Sequence, residues 1–284
     1  MKEHPCDLCG SNDAAEIPHV LLYTNGQLVH VCRACGFVYV RARRSAKEIA
    51  ETWNEIYGEG FAGERYTARI PAVKARHVYV ADFLDMHLPL KSLCVCDIGA
   101  GEGAFLKVLR DEYGADVFGV EPSAENVRRM AAMGIEAFAG TIEEFAERGA
   151  PASFDVVTIV WTLENCQSCR GMLGAAHRLL RPGGHVLVAT GSRILVPFKK
   201  TLMDYFGPNP ADTHCFRFSA NTLRTVLALN GFRAVHLNRY LDSDVLCAIG
   251  RREAPGTDLP RPKDDPNEVL AFFERWHAES EHYR

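Results

Sequence analysis

The stretch Cys96-Asp97-Ile98-Gly99-Ala100-Gly101-Glu102-Gly103-Ala104-Phe105 constrains this chain more than any other. The apolar residues 93–95 lead into it as a strand, and the residues after it read as a helix. Three glycines at alternate positions let a backbone turn tightly and come close to a ligand. The helix that follows directs its N-terminal amide dipoles at that ligand. A strand, glycine loop and helix in this order form a nucleotide-cofactor site. The spacing also satisfies the dinucleotide fingerprint, read as Gly99, Gly101 and Ala104. Asp97 argues against a dinucleotide, because a carboxylate there repels a pyrophosphate. It suits a cationic ligand without phosphate.

Further elements follow in order. Residues 117–121 form a second short apolar strand ending in Glu121, whose carboxylate can accept both hydroxyls of an adenosine ribose. Gly140-Thr141-Ile142-Glu143 closes a third αβ unit, where an adenine fits. Residues 154–160 read as a strand buried on both faces. Residues 180–188 (L-R-P-G-G-H-V-L-V) read as a helix end, a turn and a fifth strand. S-adenosylmethionine (SAM) carries a sulfonium, an ammonium and no phosphate, and so matches the charge of the glycine loop. With D-x-G-x-G-x-G, the downstream acid, F-D-V-V and L-R-P-G-G in this order, residues 70–251 resemble the class I SAM-dependent methyltransferases. The resemblance implies a Rossmann-like α/β fold, with a seven-stranded, mostly parallel sheet and helices on both faces. It implies SAM binding by Asp97, Gly99, Ala100, Gly101, Gly103, Glu121, Pro122, Thr141 and Ile142, with Trp161 as a pocket wall.

Ten cysteines in a chain that opens without a secretion signal point to metal binding or reduced thiols. Cys6-x-x-Cys9-Gly and Cys32-x-x-Cys35-Gly are paired knuckles, each able to clamp one edge of a tetrahedral metal. Residues 20–24 and 28–32 flank Asn25-Gly26, a favoured hairpin turn, and residues 37–40 can add a third strand. This predicts a small β zinc ribbon with Cys6, Cys9, Cys32 and Cys35 as ligands. Four thiolates leave no open position, so the Zn2+ is structural. Cys166 and Cys169 form a further pair without an obvious second half.

Spacing divides the chain into a ribbon (1–44), a linker helix and lid (45–69), the methyltransferase domain (70–252) and a linker with a tail helix (253–284). Ser45-x-x-Glu48 is a capping box opening the linker helix. Tyr57 and Tyr66 are lid candidates, and residues 70–87 read as an amphipathic helix. After the fourth strand, Trp161-Thr-Leu163-Glu164-Asn165 stands where small-molecule methyltransferases show His-x-Leu-Glu-His, so both histidines are replaced. Residues 190–219 form a long insertion holding Tyr205 and His214. His214 and Glu164 are the candidate catalytic residues, His214 as the proton acceptor. The tail carries Leu270, Phe273 and Trp276 on one helix, with no identified partner.

A net charge of −4 lacks the basic footprint of a nucleic-acid binder. No apolar run reaches the ~18 residues of a membrane span, which predicts a cytoplasmic protein. The resemblance extends to zinc-ribbon methyltransferases that modify sugars or nucleotide-linked sugars. Their carbon-methylating members are longer, so the expectation is SAM-dependent methylation of a hydroxyl, or else a carbon, of a small molecule that is a sugar or nucleotide-linked sugar. Two alternatives are weighed: an RNA methyltransferase holding RNA with its ribbon, and a non-catalytic SAM-fold module that binds a protein. The acidic balance opposes the first, although Arg41, Arg43, Arg44 and Lys47 cluster after the ribbon; the intact cofactor motif opposes the second.

Overall fold

The computed structural model describes residues 1–24, 26–55, 70–148, 152–191, 201–206, 214–238 and 245–282. The lid candidates Tyr57 and Tyr66, and the turn residue Asn25, lie outside the described residues. In chain order the N-terminal part carries β1 (Lys2–Glu3), β2 (Ala14–Glu16), β3 (His30–Cys32), β4 (Val38–Tyr39) and β5 (Ala42–Arg43). The helices α1 (Ala46–Glu55) and α2 (Ile70–His87) follow. The central part runs β6 (Cys94–Ile98), α3 (Ala104–Tyr113), β7 (Asp116–Glu121), α4 (Ala124–Ala132), β8 (Glu136–Ala139), α5 (Ile142–Arg148) and β9 (Phe154–Val160). It continues through α6 (Cys169–Leu179), β10 (Leu180–Gly191), α7 (Leu202–Phe206), β11 (Phe216–Arg217) and α8 (Ala220–Leu229). The chain ends in β12 (Phe232–Leu237), β13 (Val245–Arg252) and α9 (Pro266–Glu281).

Seven strands form the central sheet in the order β12-β13-β10-β9-β6-β7-β8. Neighbours from β10 to β8 pair in parallel, while β13 runs antiparallel to both β10 and β12. The expected Rossmann-like sheet is therefore present. Strand residues alternate between faces. Val156 and Val160 of β9 join a core with Val80 and Leu84 of α2 and Phe105 and Leu109 of α3. Val157 and Ile159 join the opposite core with Met172 and Leu173 of α6 and Leu223 and Leu227 of α8. Strand order reverses beside β6: the chain builds outward through β7 and β8, then returns to place β9 on the other side. In open α/β sheets such a reversal leaves a crevice at the C-terminal strand ends.

The N-terminal region is wired into this core. β2, β3 and β4 form an antiparallel sheet whose fourth strand is β11, from the long insertion. Phe37 stacks at 5.8 Å on Phe216 and lies 5.4 Å from Phe218. One expectation is corrected: Val20–Leu22 is a 3-10 turn, entered through left-handed His19, and β3 pairs with β2. The tail helix α9 finds its partner here. Val269, Phe273 and Trp276 pack with Ile17, Val20, Tyr23, Val29, Val31, Val38 and Val40 of the ribbon and with Leu202 and Phe206. Spacing separates ribbon and tail from the catalytic core, whereas packing joins them. No described helix is long and apolar enough to cross a membrane.

Candidate functional site

A cavity of about 410 Å³ sits over the C-terminal ends of β6, β7 and β9, at the strand-order reversal. The glycine loop forms its floor. Gly99 has φ +72°, and a Cβ there would lie 2.4 Å from the Thr162 methyl carbon, so only glycine fits. Gly101 has φ +55° with nothing within 4 Å of where a Cβ would stand, which leaves the backbone open to a ligand. Gly103 caps α3 and is not part of the cavity lining.

Among the described residues, four acidic residues line the cavity, Asp97, Glu102, Glu121 and Glu143, and two of them, Asp97 and Glu121, are buried. Asp97, only 2% exposed, accepts a 2.6 Å hydrogen bond from the Thr158 hydroxyl. Burial pushes its carboxyl up to about 7, the neighbouring Glu121 adds to the rise, and Thr158 opposes it. Glu121 ends β7 and is also buried. Its Oε2 accepts from the Gly101 amide at 2.9 Å, and its Oε1 from the Ser123 amide at 3.0 Å and the Asn126 side-chain amide at 3.4 Å. Burial raises its pKa and these donors oppose the rise. A buried acid pair suits a ligand that carries positive charge and ribose hydroxyls. The residues therefore fit SAM. Ala100, Pro122, Thr141, Ile142 and Trp161 line the same cavity.

The other end is built by helices. Ile49 of α1 and Val73, Arg76 and His77 of α2 face Trp161 and Phe105 across it. Trp161 has φ +51°, a left-handed backbone unusual for a bulky residue. Two bonds hold it there: its amide donates to the Ala189 carbonyl at 2.7 Å, and its carbonyl accepts from the Asn165 side chain at 2.8 Å. Such strain concentrates at functional sites. The His77 ring lies 5.8 Å from that of Trp161 and 5.5 Å from that of Phe105. Burial lowers its pKa to about 4, only partly offset by Glu102, so the imidazole is neutral near pH 7. The sequence carries a signal for it: Val73, His77, Ala81 and Leu84 follow helical spacing on one stripe, which His77 interrupts.

Neither His214 nor Glu164 belongs to the cavity lining. The His214 carbonyl accepts from the Arg217 guanidinium at 3.0 Å. Glu164 is buried, with hydrogen bonds to Thr190 and Gly191, while its carbonyl accepts from the Phe216 amide at 3.2 Å. Burial raises its carboxyl to about 7. Its place is beneath the site, tying β10 to β11.

The sulfurs of Cys6, Cys9, Cys32 and Cys35 all lie within 4.8 Å of one another. Cys6 and Cys35 are 3.6 Å apart, and Cys9 and Cys32 3.4 Å apart. Tetrahedral thiolates about 2.3 Å from a zinc ion stand about 3.8 Å apart, so the cluster fits Zn2+. Hydrogen bonds from Cys35 and Cys6 hold the Cys32 thiol low, while Cys6 and Cys35 are held high. Proton sharing of this kind ends when a divalent cation takes all four thiolates.

A family model described as a methyltransferase domain (Methyltransf_23) matches residues 72–237. The ubiquinone biosynthesis O-methyltransferase of Rhizobium etli is 31% identical over 113 residues, covering 38% of this chain and 44% of that protein. The protein of the same name from Pectobacterium carotovorum is 34% identical over 104 residues, covering 35% and 43%. The matched region thus spans under half the length of these relatives. Among solved structures, the Burkholderia thailandensis 1,6-didemethyltoxoflavin-N1-methyltransferase, with bound S-adenosylhomocysteine, superposes with TM-score 0.57. That match has 17% identity and covers 85% of this chain and 100% of the other. The magnesium protoporphyrin IX methyltransferase of Synechocystis gives 0.51 at 16% identity, covering 73% and 98%. These two show the fold, whereas the family match extends over more than half of the sequence and includes the whole glycine loop. Loop, acid pair and family match converge, and the chain belongs to the class I SAM-dependent methyltransferases.

Proposed function

We infer that this protein transfers the methyl group of SAM to a hydroxyl of a small molecule. The acid pair Asp97 and Glu121 around the glycine loop carries the cofactor half of this reading. SAM supplies a methyl group already activated on a sulfonium. Glu121, held from behind by backbone amides, accepts the ribose hydroxyls. Asp97 faces the cationic end, and its charged form is favoured there. Pro122, Thr141 and Ile142 flank the adenine. What remains for the protein is to align an acceptor, exclude water and receive one proton.

The hydroxyl is supported by the relatives, which are named O-methyltransferases. The acceptor end, walled by Trp161, Phe105, His77, Val73 and Ile49, favours a planar, largely apolar molecule. A sugar-linked acceptor has no support in these relatives, which are named for ubiquinone biosynthesis. The four cysteines hold one structural Zn2+, outside the reaction.

Incubation with methyl-labelled SAM and a panel of phenols, nucleotide sugars and transfer RNA tests the reading. Label in a phenol or another small hydroxyl compound is expected. Label confined to RNA would transfer the assignment to the RNA alternative, and binding of S-adenosylhomocysteine with no transfer to any class would support the non-catalytic one.

A further inference from the structure

The residue that receives the acceptor's proton needs a nitrogen or oxygen open to the acceptor end of the cavity. His214 and Glu164 lie outside the lining, and Trp161 and Asn165, which follow β9 and line the cavity, carry no basic group. His77 meets the requirement. It lines the cavity from α2, opposite the strained Trp161. Among the described residues its recorded neighbours are the rings of Phe105 and Trp161 and the charge of Glu102, and none hydrogen-bonds its nitrogens. A half-buried imidazole with no hydrogen bond to any described residue has a donor and an acceptor to give to a ligand. Glu102 also lines the cavity, but its carboxylate is paired with Arg129 at 3.1 Å.

We propose that His77 is the catalytic base of this methyltransferase, taking the acceptor's hydroxyl proton as the methyl group moves. The inference rests on the reading that a hydroxyl is the acceptor. In the step, the oxygen–carbon bond forms and the sulfur–carbon bond breaks, its electron pair staying on sulfur. The O–H bond breaks and its proton goes to the free imidazole nitrogen, which afterwards returns it to solvent. A weakly basic imidazole suffices, because an oxygen gaining a bond to carbon becomes far more acidic than the starting hydroxyl. The ring must be neutral at the outset, and its apolar surroundings keep it so. Among the described residues, the charged groups that share the cavity with it are Arg76 on its own helix, Glu102, Asp97 and Glu121, Arg129 of α4 and Glu143 of α5.

The test uses H77A and H77Q in the full-length chain, with catechol as the acceptor probe. Both variants are expected to bind S-adenosylhomocysteine within about twofold of wild type, and to lose about 10²–10⁴-fold in single-turnover methyl transfer. Added imidazole is expected to restore part of the H77A rate, which a structural defect would not allow. A second readout needs no turnover: in nitrogen-labelled histidine spectra of the S-adenosylhomocysteine complex, catechol shifts one imidazole signal, and that signal is absent from H77Q. Full activity in H77A, or a His77 signal unmoved by catechol that does bind, overturns the assignment. Catechol that neither binds nor is methylated, when another hydroxyl compound of the panel is, moves the spectra to that compound, where the same two results decide. Label found only in RNA would instead sink the hydroxyl reading, and the His77 proposal with it.

Discussion

Glu121 does two things with one carboxylate: it pins the Gly101 and Ser123 amides and faces the cavity. Changing it to alanine loses charged-acceptor bonds to the ribose and loosens the loop. E121A is expected to weaken S-adenosylhomocysteine binding by about 1–3 kcal/mol by calorimetry. Asp97 makes a different prediction. Its carboxyl is raised to about 7, so between the ordinary carboxylate range and that value the folded, ligand-free chain holds a proton that the unfolded chain has lost. The ligand-free protein therefore loses stability from this group as pH rises through that window. A cationic ligand favours the carboxylate, so SAM affinity rises with pH across it and levels off above about 7. D97N is expected to flatten this dependence; an unchanged profile would place the titration elsewhere. Both acids were legible in the sequence because each stands at or next to the end of a short apolar strand. His77 was harder to single out: it interrupts an apolar stripe, but its helix is only weakly amphipathic and nothing local marks which turn overlies the cofactor loop. Glu164 reads as catalytic from its motif, yet the chain turns it inward to Thr190 and Gly191.

At the scale of elements, the ribbon is braced by Arg43. Its side chain, fully buried, donates to both carboxylate oxygens of Asp7 at 3.3 and 2.6 Å and to the Gln167 carbonyl. It also lies 4.8 Å over the Phe216 ring. Asp7 belongs to the first cysteine knuckle, and Gln167 lines the cavity. One side chain thus links the metal knuckle to the pocket wall. Removing one partner of a buried pair leaves the other charge stranded, so R43A is expected to cost about 3–5 kcal/mol in denaturant unfolding. The metal site predicts a further result. C32S is expected to lose bound zinc by elemental analysis and to open residues 1–45 to protease. Because Phe37 and Tyr39 share a core with the central sheet, its melting temperature should fall as well. An unshifted melt with intact proteolytic resistance would show that the ribbon stands without its ion. The knuckles were legible because ligand spacing is local. The docking of α9 was not, since Val269, Phe273 and Trp276 specify an apolar face without naming what covers it. The strand expected over residues 20–24 failed for a similar reason: its residues are apolar enough for a strand, but left-handed His19 turns the chain first.

For the molecule as a whole, strand order decides where chemistry happens. Alternating strands and helices with a glycine loop made the parallel sheet readable, and the reversal beside β6 then fixed the cavity. The insertion could not be read this way, because β11 pairs with a strand far back in the chain. With a net charge of −4 the molecule is poorly suited to neutralise phosphates, so transfer RNA is expected to bind only weakly at physiological salt. Tight, steeply salt-dependent binding lost on changing Arg41 and Arg44 would favour the RNA alternative. The most direct measurement is calorimetric titration of the full-length chain with S-adenosylhomocysteine and, separately, with NAD. S-adenosylhomocysteine is predicted to bind at one site per chain, more weakly in E121A, with no heat from NAD. Binding of NAD without binding of S-adenosylhomocysteine would contradict the assignment.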